Sequence, residues 1–274
     1  MKFWKMHGLG NDYVVIDNRQ GDIRVESIPE LARKLCERRF SIGADGLLLV
    51  SESVIADVKM RIFNADGSEA EMCGNGIRCF AKYCYEKGIT RKVDFSVETL
   101  AGTKRVWLTA ENGQVQSVRA DMGTPILERN KIPMIGEGKW VNENLVVDGA
   151  SYKATCLSVG NPHCVIFVDR TDDFPVCTIG PKIENYYLFP QRTNVEFAQV
   201  LNDSEMKVRV WERGCGETLA CGTGACAAAV AGSLLGKVRN KVTVHLLGGN
   251  LEVDYTDRIF LSGPVERVFE GKLF

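Results

Sequence analysis

Short apolar runs separated by turn signals occupy most of the chain, and helical spacing is confined to a few places. Residues 2–7 and 13–18 are apolar and rich in β-formers, residues 28–39 have helical spacing with Pro29 near their start, and residues 47–51 and 58–63 read as strands. After Cys73 a helix is expected in which Arg78, Lys82 and Glu86 fall at four-residue steps, a polar stripe predicted to touch solvent along one side. Residues 93–97, 103–109 and 115–121 follow as strands, with turns at Gly102 and Asn112-Gly113. The first half is thus β-rich around one principal helix. Residues 121–133, which hold Gly123-Thr-Pro125, form the expected crossing between halves.

The second half repeats the pattern. Strands are expected at residues 152–158, 164–168, 194–200 and 206–211, then a helix after Cys221, then strands at 241–246, 251–255 and 258–261. No charged residue interrupts that helix before Lys237, so it is predicted to be enclosed on all sides, more completely than its counterpart after Cys73. The tail, residues 263–274, is expected to return to the first half.

The likeness extends to an internal register of 148 residues (221 minus 73). It superposes Lys59-Met-Arg-Ile-Phe63 on Lys207-Val-Arg-Val-Trp211, Glu69 on Glu217, and Gly74 and Gly76 on Gly222 and Gly224. Gly10-Asn11 and its following strand match Gly160-Asn161 with a small slip. A rival register of 142 residues (215 minus 73), which superposes Cys73, Cys79 and Cys84 on Cys215, Cys221 and Cys226, aligns nothing beyond those cysteines. A period this long implies two related domains, not a solenoid.

Composition narrows the function. The chain has 274 residues, 45% hydrophobic and 25% charged, enough for two full cores. Thirty-four basic and 35 acidic residues give a net charge of -1, which offers no general field for nucleic acid. The basic cluster at residues 34–39 is interrupted by Cys36 and Glu37 and reads as a solvated helix face. Residues 1–12 lack the apolar run of a secretory signal, so a cytoplasmic protein is expected. Residues 218–236 carry no charge, but their Ala, Gly, Ser and Cys fit a helix inside a folded domain, not a membrane span. Ten cysteines with no Cys-X-X-Cys and only His7, His163 and His245 provide no scaffold for structural zinc, and no metal is expected.

The candidate chemistry lies in the repeated turn, Cys73-Gly-Asn-Gly and Cys221-Gly-Thr-Gly. A thiol at a strand-to-helix turn meets free N–H groups and the positive end of the helix dipole, which favour thiolate over thiol. Two such thiols, one from each of two related domains, suit stereoinversion: a thiolate removes a proton from one face of a carbon and a thiol delivers one to the other. The backbone N–H groups of Gly74, Asn75, Gly222 and Thr223 would bind the carboxylate beside that carbon and stabilise the charge it gains.

Seven segments in order carry a family resemblance: Phe3-X-Lys5-Met-His-Gly-Leu-Gly-Asn-Asp12, Arg61-Ile-Phe-Asn-Ala-Asp-Gly-Ser68, Cys73-Gly-Asn-Gly-Ile-Arg-Cys79, Gly160-Asn-Pro-His163, Arg192-Thr-Asn194, Glu212-Arg-Gly-Cys-Gly-Glu-Thr218 and Ala220-Cys-Gly-Thr-Gly-Ala-Cys226. Along nearly its whole length the chain resembles diaminopimelate epimerases, amino-acid racemases that use no cofactor. The resemblance implies that Cys221 takes the proton from the LL isomer and Cys73 supplies one, with His163 and Glu212 assisting. It places Asn11 at the reacting amino group and Asn64, Asn161, Asn194 and Arg213 at the distal amino-acid end; independently, Arg213 suits bidentate carboxylate binding.

The implied fold is α+β. Two pseudo-symmetric domains, residues 1–118 with 264–274 and residues 119–263, are each a curved, barrel-like mixed sheet around a central helix, with the active site in the cleft between them. A homodimer is implied, with no nucleic-acid or membrane partner.

The chain departs from the pattern at Gly46, where part of the family has a substrate-contacting glutamine, and at Thr223, where serine is also common. His245 is expected to be packed, His7 to shape its loop, and the other eight cysteines to be small buried hydrophobes or incidental thiols. Two alternatives stand: a racemase of another amino acid such as proline on the same fold, and a redox-responsive carboxylate-binding protein whose Cys73 and Cys221 pair on oxidation.

Overall fold

The computed structural model describes residues 1–273. The chain forms two compact units, Met1–Asp121 together with the segment from Ser262 on, and Met122–Leu261.

In the first unit the strands are β1 (Lys2–Gly8), β2 (Asn11–Asp17), β3 (Gly46–Ser51), β4 (Val58–Asn64), β5 (Glu69–Ala70), β6 (Asp94–Thr99), β7 (Gly102–Glu111) and β8 (Gln114–Gly123), with helices α1 (Ile28–Cys36) and α2 (Gly74–Glu86). β2 and β3 run parallel, as do β4 and β6, and the β1–β2, β3–β4, β4–β5, β6–β7 and β7–β8 pairs are antiparallel. Asn112 and Gly113, with φ of 49° and 77°, turn β7 into β8 as an Asn-Gly pair should. Val14–Ile16 and Leu47–Leu49 are buried on both faces, which explains their unbroken apolar runs. Val14, Ile16, Leu47 and Leu49 pack with Ile28, Ala32 and Leu35 of α1. Leu48 turns the other way, toward Gly76 of α2. Helix α2 also contacts β1, β2, β4 and β7, so the strands wrap around it.

The second unit repeats this order. Its elements are β9 (Trp140–Val147), β10 (Ala150–Ser158), β11 (Pro162–Phe167), α3 (Val176–Glu184), β12 (Asn194–Asn202), β13 (Glu205–Glu212), β14 (Gly216–Thr218), α4 (Gly222–Leu234), β15 (Lys241–Leu246), β16 (Gly249–Tyr255) and β17 (Ile259–Pro264). β11 pairs parallel with β12 and β13 with β15, as β2 does with β3 and β4 with β6. The short β14 lies on β13 just as β5 lies on β4. The duplicated sequence therefore folds as duplicated topology. The last strand, β18 (Glu266–Lys272), pairs with β1, so the tail returns to the first unit; Phe274 lies outside the described residues.

Three expectations are corrected. The first helix stops at Cys36, not at residue 39, because Glu37 is extended and Arg39 takes a left-handed φ of 75°. The polar stripe on α2 does not face solvent: Arg78 is 0% exposed, and the Lys82 and Glu86 side chains are each 11% exposed and paired at 2.9 Å. Nor is α4 more enclosed than α2. Both are buried along nearly their whole length, and α4 ends in an exposed Leu234.

Helix α3 was not visible in the sequence. Pro181 sits inside it, and Gly180 lets it approach Trp211 so closely that a Cβ there would stand 2.6 Å from the indole Cγ. Among the described residues no helix is long and apolar enough to cross a membrane.

Candidate active site

Each thiol is the N-cap of its helix. Cys73 and Cys221 take extended backbone angles, and their sulfurs accept from the N–H of Gly76 at 3.4 Å and of Gly224 at 3.3 Å. Their carbonyls take the N–H groups of Ile77 and Ala225. A sulfur thus occupies the place of the usual Ser or Asp cap, at the positive end of a buried helix.

Around Cys73 the first unit gathers Tyr13, Asn11 and Asn75. The Tyr13 hydroxyl lies 2.9 Å from the sulfur and donates to Asn11 Oδ1 at 2.7 Å, which also accepts from Asn75 Nδ2 at 3.2 Å. Asn11 Nδ2 donates to Asp45 Oδ2 at 2.9 Å, and Arg38 ties Asp45 to Asp12. Arg78 donates to the Gly74 carbonyl at 2.8 Å and to Asn75 Oδ1 at 2.9 Å, which fixes the Asn75 amide with its NH2 toward Asn11. Asn64, at the end of β4, is not joined to this group; its amide donates to Ser68 Oγ at 2.9 Å. Gly46 has no room for a glutamine. Its Cβ would stand 2.8 Å from the Phe63 carbonyl oxygen and 3.0 Å from Tyr13 Cε1, so the Tyr13 ring holds that ground.

Around Cys221 the second unit builds a chain of hydrogen bonds. Thr223 Oγ1 is 3.4 Å from the sulfur and accepts from Asn161 Nδ2 at 3.3 Å; Asn161 Oδ1 is 2.9 Å from His163 Nε2, and His163 Nδ1 is 2.7 Å from Glu196 Oε1. Asn194 bridges two segments, donating to the Pro162 carbonyl at 2.8 Å and accepting from the Arg213 N–H at 2.9 Å. The Arg213 guanidinium donates to the Gln191 carbonyl at 3.1 Å, and Glu212 accepts from Thr218 Oγ1 at 2.5 Å.

The electrostatics modify one expectation. Burial pushes the Cys221 thiol well above its ordinary range, Glu212 and Glu196 push it further, and the bonds from Thr223 and Gly224 only partly offset this. The helix end therefore loses to desolvation here, and Cys221 rests as a thiol.

Several residues of these clusters escaped the sequence reading, Tyr13 and Glu196 chief among them. A tyrosine fits an apolar strand, so Tyr13 gave no signal. Glu196 did give one: a carboxylate between Val195 and Phe197 breaks an apolar run, and such a group is buried only when partnered. His7 accepts from the Gly10 N–H at 3.4 Å and so shapes its loop, and His245 bonds Asn250 at 2.9 Å in β15. Of the other cysteines, Cys177 and Cys215 are exposed and the remainder buried.

Solved structures with this fold include a probable proline racemase from Agrobacterium radiobacter K84, with a TM-score of 0.72 at 14% identity over 100% of this chain and 92% of that one. A PhzF-family phenazine biosynthesis protein from Bacillus anthracis has the same TM-score at 18% identity over 100% and 99%. The fold is thus shared with racemases and PhzF-type proteins. Within that class, the family model described as diaminopimelate epimerase matches residues 3–128 and 155–268. The diaminopimelate epimerases of Moorella thermoacetica and Methanococcus maripaludis are 54% and 48% identical to the chain, over 99% and 100% of it and 98% and 99% of their own lengths. The chain belongs to the diaminopimelate epimerase family.

Proposed function

We propose that the protein is an isomerase that inverts one stereocentre of LL-2,6-diaminopimelate to give the meso isomer, with two cysteines as the acid and the base and no cofactor. The observation that carries the two-base scheme is the duplication itself: each unit presents one thiol at the N-cap of its central helix, amid Asn and hydroxyl partners. In this scheme Cys221 removes the α-proton of the LL isomer while Cys73 delivers one to the opposite face. Because Cys221 rests as a thiol, it must first release its proton, and the acid–base groups near it, Glu212 and the His163–Glu196 pair, are suited to receive it.

The N–H groups of Gly74, Asn75, Gly222 and Thr223, in the first turns of α2 and α4, bind the reacting carboxylate, and Asn11 holds the amino group beside it. The distal amino-acid end falls to Asn64, Asn161, Asn194 and Arg213. Asn194 and Arg213 are already coupled through the Arg213 N–H, which supports their acting together. A proline racemase on the same fold would have no distal ammonium and carboxylate for this group to hold. The protein works in the cytoplasm, as a homodimer, within the lysine and peptidoglycan precursor pathway.

The deciding experiment incubates reduced protein with LL-diaminopimelate in deuterated water and follows the α-protons by NMR. Deuterium entering one stereocentre as meso product appears is the expected result. Exchange with proline or glutamate but not with diaminopimelate would sink the substrate assignment.

A further inference from the structure

Tyr13 stands in the repeat position of His163. Asn11 and Asn161 open β2 and precede β11, and two residues on come Tyr13 and His163. Each faces the first residue of the parallel neighbour strand, Tyr13 opposite Gly46 and His163 opposite Asn194. In the second unit this position holds a residue able to serve proton transfer at Cys221. Its counterpart in the first unit is a phenol in direct contact with Cys73.

The hydroxyl is fixed between two partners, Asn11 Oδ1 at 2.7 Å and Cys73 Sγ at 2.9 Å. The ring is held against Gly46 on one side, where a Cβ would come within 3.0 Å, and beside Gly76 of α2, where a Cβ would lie 3.6 Å from Cζ. A phenol has one proton to donate and lone pairs to accept with. When the sulfur is a thiol, its S–H donates to the Tyr13 oxygen while the O–H donates to Asn11. When the sulfur is a thiolate, the O–H swings to it.

We propose that Tyr13 is a further catalytic residue, whose hydrogen bond to the Cys73 sulfur reverses direction as that sulfur gives up or takes on the substrate's proton; this rests on the reading of Cys73 as one of the two bases. When Cys73 delivers its proton to the α-carbon, the S–H bond breaks, the C–H bond forms, and the Tyr13 O–H turns from Asn11 to the new thiolate. In the reverse direction the thiolate takes the α-proton and the O–H returns to Asn11. Tyr13 keeps its own proton throughout, because burial and the neighbouring Cys73 hold the phenol well above its ordinary range. Since Asn11 is the group expected at the reacting amino nitrogen, the same swing links the state of the sulfur to the group that holds the substrate.

The test is Tyr13→Phe, which keeps the ring and removes the oxygen. In a Cys221→Ser background, iodoacetamide alkylation of Cys73 at neutral pH, followed on the Cys73 peptide by mass spectrometry, should slow about tenfold, the loss expected when a thiolate loses a hydrogen bond. The thermal unfolding midpoint should stay close to that of the parent. In the otherwise unaltered protein kcat should fall about tenfold with KM changed less than about twofold, because the bond strengthens only as charge appears on sulfur. Gly46→Ala, which pushes the ring off its seat while keeping the hydroxyl, should slow the alkylation too. Equal alkylation rates with and without the Tyr13 oxygen overturn the proposal even if turnover persists. Failure of the parent to exchange diaminopimelate α-protons would instead overturn the functional reading while leaving the alkylation contrast in place.

Discussion

Glu196 and His163 are joined through Oε1 and Nδ1 at 2.7 Å, with both side chains wholly buried. The other ring nitrogen faces Asn161 Oδ1, so the imidazole is held at both ends by oxygens. Burial raises the Glu196 carboxyl above the usual carboxylate range, against the pull of the His163 ring. Gly224 completes the seat: a Cβ there would come within 2.8 Å of Glu196 Oε1, so the carboxyl group can lie against the first turn of α4 only because that residue is glycine.

Removing one partner of a buried pair leaves the other desolvated and unpaired, which costs about 3 kcal/mol. Glu196→Ala is therefore expected to destabilise the protein by about that amount in urea unfolding. His163→Ala in addition should cost little more, because the interaction is already lost. Additive losses in the double variant would show that the two side chains do not act as a pair.

The thiols carry two duties that substitution can separate. As N-caps each satisfies a helix N–H, which alanine cannot do but serine can. Cys73→Ala and Cys221→Ala should each lose about 1 kcal/mol of stability, and the serine variants should stay close to the parent. All four should lose stereoinversion by a factor on the order of 10^3, since general acid–base catalysis at one face is gone. Proton exchange and calorimetry on the same samples test both statements; parent-level turnover in any of the four would refute the two-base scheme.

Asp12 sets an acid limb. Burial alone would raise its carboxyl, but hydrogen bonds and charge from Arg38 and Lys5 hold it below its ordinary value, with Lys5 Nζ at 2.7 Å and Arg38 Nη2 at 2.8 Å. A carboxyl lowered by folding binds fewer protons in the native state than in the unfolded one, so stability rises with pH across that interval. The contribution is fully present above the unfolded value of about 3.9 and is lost as pH falls through the lower folded value. Unfolding free energy measured from pH 7 to about pH 2 should fall less steeply below about pH 4 in Asp12→Asn than in the parent. An unchanged slope would mean that Asp12 does not drive it.

The duplicated Cys-Gly-X-Gly turns and the 148-residue register made the two thiols, the two central helices and most of the strands legible, but not β9 or the short β5 and β14. What stayed hidden was whatever burial decides. Arg78, Lys82 and Glu86 have the spacing of a solvated face, yet Lys82 donates to the Val115 carbonyl and Glu86 accepts from the Val115 N–H, so backbone groups replace water. Helix α3 carries a proline and a glycine that local preference reads as loop, and it is held by packing on Trp211. The protonated rest state of Cys221 comes first from its burial and then from Glu212 and Glu196, all of which only the fold decides.

Arg78 tests how far the buried stripe serves the site. Its guanidinium is wholly buried, reaches the Gly74 carbonyl and Asn75 Oδ1, and lies so near β1 that a Cβ on Gly8 would come within 3.0 Å of Nη2. Arg78→Met fills much the same space without the two donors. It should cost about 2 kcal/mol for the buried acceptors left behind. It also frees the Asn75 amide to turn away from Asn11, so kcat/KM should fall by roughly ten- to a hundredfold through lost positioning. Arg78→Lys should recover little of either loss, because a single ammonium cannot reach both acceptors in the geometry of the planar fork. If Arg78→Lys matched the parent in both unfolding and turnover, the guanidinium would be a space-filling cation and not the brace that orients Asn75.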